Sequence, residues 1–107
     1  MSIPKSNTLE EVYSETEKIS PDFVYVVDEN NALITDEEKT DKIVHIFALK
    51  GKNNNIKITE WTKKDGKYSK SELKDKIKVK NGKYQSDDSN LKLVVDELNK
   101  VSKPSAD

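Results

Sequence analysis

The chain has 107 residues, 33% hydrophobic and 36% charged, with a formal net charge of -1 and no cysteine. Its 7 Leu, 8 Ile, 9 Val and 2 Phe can build one small domain over residues 1–107. A chain this short buries only about two-thirds of its unfolded surface, which leaves no deep cavity for a large cofactor, and the lack of thiols excludes disulfide scaffolds, thiolate metal sites and cysteine nucleophiles.

The first predicted element is a helix over 9–19, with Leu9, Val12, Tyr13, Thr16 and Ile19 at helical spacing and Thr8 with Glu11 in a capping-box pattern. Ser20-Pro21 ends it. The β-branched and aromatic run Phe23 to Val27, the polar stretch Asp28 to Asn31 and then Ala32-Leu33-Ile34 predict a hairpin. Thr35 and Glu38 repeat the capping-box pattern, so 36–41 can form one helical turn.

Ile43 to Leu49 is apolar on both alternating faces apart from His45, which places a strand there in the middle of a sheet, with a short helix through 37–49 as the competing reading. A loop follows over 50–55, then an amphipathic strand over 56–62. Residues 70–76 stay open between strand and a short helix capped by Ser69 and Glu72, and a strand is expected around Ile77 and Val79. Leu91, Val94, Val95, Leu98 and Val101 mark a C-terminal helix, with Asp87 and Asp88 before it and Pro104 beyond.

Strands bracketed by helices give an α+β class. The expected architecture is an N-terminal helix, an antiparallel meander-like sheet of four to six strands and a C-terminal helix, with both helices on one sheet face and flexible ends at about 1–6 and 104–107. That arrangement leaves one sheet face, including Val24, Val26, Val44 and Ile46, to be covered by a second copy, a partner or the loops.

Charge is spread unevenly. Residues 1–41 hold 11 acids and 3 lysines, 42–86 hold 13 lysines and 4 acids, and 87–107 hold 5 acids and 3 lysines. All 19 basic residues are lysine, so no guanidinium fork is present to grip phosphate or carboxylate through two parallel bonds. One repeat stands out: Lys64-Asp65-Gly66-Lys67-Tyr68 and Lys80-Asn81-Gly82-Lys83-Tyr84. Asp-Gly and Asn-Gly favour two-residue hairpin turns, and a meander would carry both tips at the same end, gathering four lysines and two tyrosines.

Chemistry-bearing patterns are sparse. His45 lies in an apolar run with no serine nucleophile near it in sequence, the reading for which is a half-buried histidine with a hydrogen-bond partner. The acidic stretch from Asp28 fails as a calcium loop, because Leu33 stands where glycine is needed and Lys39 where the bidentate glutamate belongs. The only glycines, Gly51, Gly66 and Gly82, fall in separate turns, so no phosphate loop exists.

The sequence therefore predicts no catalysis, no cofactor and no metal. It predicts a protein-interaction module of inhibitor, immunity or adaptor type, with Lys64, Lys67, Tyr68, Lys80, Lys83, Tyr84 and Trp61 contacting a protein partner that favours acidic surface. The alternative is a nucleic-acid binder that neutralises phosphates with lysine and stacks bases on Trp61, Tyr68 and Tyr84. A homodimer is a further expected partner state. No apolar run reaches the about 18 residues of a bilayer span and the first residues carry no secretory signal, so a cytoplasmic protein without membrane contact is expected; a mature fragment of an exported or lipid-anchored precursor would read the same.

Overall fold

A computed structural model describes residues 6–104 of the chain. The expected loose ends fall outside the described residues, except Ser6, which pairs with Ser69, and Pro104. In chain order the elements are β1 (Ser6–Asn7), α1 (Leu9–Ile19), β2 (Phe23–Val27), β3 (His45–Lys50), β4 (Lys57–Lys64), β5 (Lys67–Leu73), β6 (Lys78–Lys80), β7 (Lys83–Gln85) and α2 (Lys92–Val101). Short 3-10 turns at Glu37–Lys42, Asn53–Asn55 and Ser89–Leu91 link them. The class is α+β, as the sequence indicates.

Helix α1 begins where the capping box predicts. The Glu11 N–H donates to the Thr8 hydroxyl at 3.2 Å while the Thr8 N–H donates to the Glu11 carboxylate at 3.0 Å, satisfying two donors that the first turn leaves free. Ser20 closes it in the left-handed region, at φ 52°. The second capping pattern is shifted by one residue: Asp36, not Thr35, accepts from the Glu38 N–H at 2.9 Å. An aspartate one position nearer the turn offers the same acceptor with a full charge.

Five strands form an antiparallel sheet in the order β1-β5-β4-β3-β2, and β6 pairs with β7 in a separate hairpin. The twice-apolar run is thus a strand flanked on both sides, and residues 67–73 are strand rather than helix, paired with β4 from Lys64↔Lys67 to Ile58↔Leu73. The predicted hairpin after β2 shrinks to a single bridge, Val27↔Leu33.

The helices do not share a face. Phe47 and Leu49 of β3 join Ile58, Tyr84 and α2 residues Val94, Val95 and Leu98 in one core, whereas Ile46 and Ala48 join Val12 of α1, Trp61 and Tyr68 in another. Successive side chains of a strand point to opposite faces, so these two cores lie on the two sides of the sheet, one helix on each. A strand apolar on both faces requires cover on both, and a single chain supplies it. Ile46 is buried, Val26 and Val44 half-buried, and Val24 alone of the expected second-face residues is exposed, at 43%. Helix α1 covers much of the second face, where Ile46 and Ala48 are buried with Val12.

Val101 also departs from expectation. It occupies the last position of α2 and is 63% exposed, while Leu91, Val94, Val95 and Leu98 are buried.

Candidate interaction surface

The residues singled out from the sequence separate into two groups. Lys64, Lys67, Lys80 and Lys83 are exposed, as expected for turn tips, but Trp61, Tyr68 and Tyr84 are 0%, 2% and 3% exposed. Trp61 and Tyr68 lie in the core beneath α1, and Tyr84 lies in the core beneath α2. The Tyr68 hydroxyl donates to the Ile43 carbonyl at 2.8 Å, and burial, then the neighbouring Tyr13, raises its pKa. No base or partner side chain can stack on rings placed this way.

Both tips form the expected turns, with Asp65 and Gly66 at φ 53° and 81° and Asn81 and Gly82 at φ 53° and 74°. The structure does not bring them together. The Asp65-Gly66 tip lies at the far end of β4 and β5 from the paired Ile58 and Leu73. Hairpin β6–β7 instead docks beside the β3–β4 connection, where the Val79 N–H donates to the Asn54 side chain at 2.9 Å. At roughly 3.3 Å per strand residue, the first tip is about 20 Å from that connection. The repeat is turn chemistry at two sites.

The acidic stretch has a local role. One Asp28 carboxylate oxygen accepts from the N–H groups of Asn30 and Ala32 at 2.8 and 3.0 Å, which folds the loop after β2. His45 is half-buried; its Nδ1 lies 3.3 Å from the Thr62 hydroxyl and 3.5 Å from a Glu60 carboxylate oxygen, and its ring stacks on Phe47. These neighbours make it a satisfied sheet residue. Among the described residues no three His, Cys, Asp or Glu side chains gather as a metal site, and no helix is long and apolar enough to cross a membrane.

A different surface emerges at the β2 side of the sheet. Between α1 and the connection over 28–43 runs a groove of about 480 Å³ with Tyr13, Val26, Ile34 and Ile43 among its walls, and Thr35, Asp36 and Thr40 at its rim. It continues into a hollow of about 600 Å³ that reaches Asp28, Asp41, Lys39 and Lys63. Tyr13 in the groove wall is 46% exposed, and Val24, two residues before Val26 on the same sheet face, is 43% exposed. In the sequence Tyr13 shares the helical spacing of Leu9, Val12, Thr16 and Ile19; the 3.6-residue repeat gives a face, but tertiary packing decides how much of that face is covered.

The chain segments that flank the groove are acidic. Glu10 and Glu17, at three residues before and four after Tyr13, lie along the same helix stripe and are exposed, and neither forms an ion pair with a described residue. Overall α1 carries four acids and one lysine, and residues 28–42 carry six acids and two lysines. The groove is lined by apolar groups, two threonines and Asp36, and the adjoining hollow sets Asp28, Glu29, Asp36 and Asp41 against Lys39, Lys42 and Lys63, so it is the net charge of the flanking segments that suits a basic ligand surface with an apolar anchor. Compared with known families, curated proteins and solved structures, the chain matches no family model, no curated protein and no solved structure.

Proposed function

We propose that this protein is a non-enzymatic interaction module that binds a protein partner through the groove between α1 and the 28–43 connection. The observation that carries the reading is the exposed Tyr13 in the wall of an apolar groove that runs between two chain segments of net negative charge. Interface anchors are typically aromatic or apolar groups at the centre of a polar rim, and a folded scaffold with a helix on each side of its sheet presents such a surface at little ordering cost on binding. The lysine tips are spread over two sheets and lack exposed aromatic neighbours, so they act as solvating and steering charge. The same burial removes Trp61, Tyr68 and Tyr84 as stacking platforms for the nucleic-acid alternative.

The test compares retention of proteins on the immobilised wild-type chain, on Tyr13→Glu and on Lys80→Glu/Lys83→Glu. One stoichiometric partner held by the wild type and the lysine variant, and lost from Tyr13→Glu, supports the groove. Equal retention on Tyr13→Glu, or salt-sensitive retention of single-stranded nucleic acid in place of a protein, overturns it.

A further inference from the structure

The outer edge of β2 differs from the opposite edge of the sheet. Strand β2 is the terminal strand on its side and consists of Phe23, Val24, Tyr25, Val26 and Val27, with no charged residue. Natural edge strands are usually guarded by charge, proline, bulges or a covering segment, because unpaired N–H and C=O groups template the pairing of another chain. On the far side, β5 carries Lys70 and Glu72 and is covered in part by β1.

Only half of the β2 edge is covered. The Ile34 N–H donates to the Val26 carbonyl at 2.8 Å and the Asp28 N–H donates to the Ala32 carbonyl at 3.0 Å, so residues 32–34 close the C-terminal half. Because the Val26 carbonyl faces outward, the alternation of an antiparallel strand turns both the N–H and the C=O of Val24 to the same outer side. Neither bonds outward to a described residue. The exposed Val24 side chain stands beside them, on the face that leads to Val26 and Tyr13 in the groove.

Resting on the groove reading above, we infer that the partner enters as an extended, lysine- or arginine-bearing segment of a different protein, which adds to the sheet beside the first half of β2 and sets an apolar side chain in the groove. Main-chain bonds to an edge give such binding its affinity, and pockets for alternate side chains give it specificity. Charge selects the occupant. A second copy docked edge to edge would bring the acidic α1 and 28–42 segments of one chain toward those of the other, like charge against like, whereas a basic segment meets two segments that together hold ten acids and three lysines.

The probe is an acetylated eight-residue peptide in which valine and lysine take turns at every second position with threonine between them, so that both face the groove side, titrated into the nitrogen-15-labelled full chain and followed by amide resonances and hydrogen exchange. Expected are shifts and slowed exchange at the Val24 and Val26 N–H groups. Binding should weaken by at least about tenfold when alternate peptide nitrogens are methylated, since two main-chain bonds are lost. The glutamate-valine peptide and the Val24→Lys variant should bind weakly as well.

Equal binding of the methylated peptide, with shifts at Tyr13 and Ile34 but not Val24, overturns strand addition and leaves the groove reading standing. Equal binding of the acidic peptide overturns the choice of partner, and protection of Val24 that rises with protein concentration alone assigns the edge to a second copy instead. If no peptide perturbs either region, the inference fails, and the Tyr13→Glu comparison still judges the groove by itself.

Discussion

The side-chain amide of Asn99 bonds to the backbone of Tyr84 in both directions: the Tyr84 N–H donates to its oxygen at 3.0 Å, and its nitrogen donates to the Tyr84 carbonyl at 2.9 Å. The amide thereby acts as a one-residue strand partner for β7, holding a three-residue hairpin onto α2. An isolated hairpin of this length is marginal in water. Two bonds at about 0.5–1.5 kcal/mol each, part-buried, make Asn99→Ala destabilising by about 1–3 kcal/mol. Chemical denaturation should show a lower midpoint with an unchanged slope, and Asn99→Asp, which keeps an acceptor and loses the donor, should fall between wild type and alanine.

Helix α2 separates its apolar residues sharply. Leu98 is 1% exposed within the core on Phe47 and Leu49, so Leu98→Ala should cost about 2–5 kcal/mol, a large share of the roughly 5–15 kcal/mol available to a domain. Val101 sits on the same sequence period but is 63% exposed. Val101→Ala should stay within about 0.5 kcal/mol. Thermal unfolding of the two variants checks the pair, and equal destabilisation would place Val101 in the core after all.

How far the sequence could be read depended on whether the signal was local. Thr8 and Glu11 define the start of α1 because a capping box is satisfied within one turn, and Asp65-Gly66 and Asn81-Gly82 define their turns because φ is positive at all four residues. The two-faced apolar run around Ile46 and Phe47 placed β3 inside the sheet. Which helix covers which face was not legible, since 3.6-residue periods in α1 and α2 state that each has an apolar side and nothing about where it docks. The strand β5 was missed as a firm assignment because Lys67 to Leu73 is exposed except at Tyr68 and Leu73, and its ladder with β4 comes from tertiary context. The burial of Trp61, Tyr68 and Tyr84 was illegible for a related reason: they sit beside exposed lysines in sequence, and their packing under α1 or α2 is set by tertiary contacts.

Alkaline pH should destabilise the fold through two tyrosines. Burial, with a smaller contribution from the Glu97 carboxylate, raises the pKa of Tyr25, and burial with Tyr13 raises that of Tyr68. Both folded-state values lie above the ordinary value of about 10. The folded state therefore holds protons that the unfolded state releases, and their contribution is complete below about pH 10 and is lost as pH rises through the folded values. Stability measured from pH 8 to 11 should decline at the upper end. Tyr25→Phe and Tyr68→Phe should each flatten that decline, with Tyr68→Phe also lowering stability at neutral pH because the Ile43 carbonyl loses its donor.

Trp61 is the only tryptophan and is 0% exposed, so its fluorescence reports on the α1-side core. Iodide should quench it weakly in the native protein and strongly in denaturant. Adding single-stranded nucleic acid should leave the emission unchanged, because no base reaches the ring. Quenching that saturates with nucleic acid would reopen the stacking alternative.

The three glycines should respond unequally to alanine. Gly66 and Gly82 have left-handed φ of 81° and 74°, and an added Cβ meets open space at each, so only backbone strain opposes the change. That strain is about 1–2 kcal/mol for a left-handed L-residue. Gly51 differs on both counts. Its φ is 112°, and a Cβ there would press on the carbonyl of Asn55, a backbone group that cannot swing aside as a side chain would. Its N–H also donates to the Asp22 carboxylate at 2.9 Å, tying the β3–β4 connection to the start of β2. A shift of that connection would carry Asn54 away from the Val79 N–H and loosen the hairpin that completes the α2-side core. Gly51→Ala should therefore lower the melting temperature well beyond Gly66→Ala or Gly82→Ala, and hydrogen exchange should show the added opening at Val79 and Tyr84; three equal losses would mean that backbone strain alone governs all three sites.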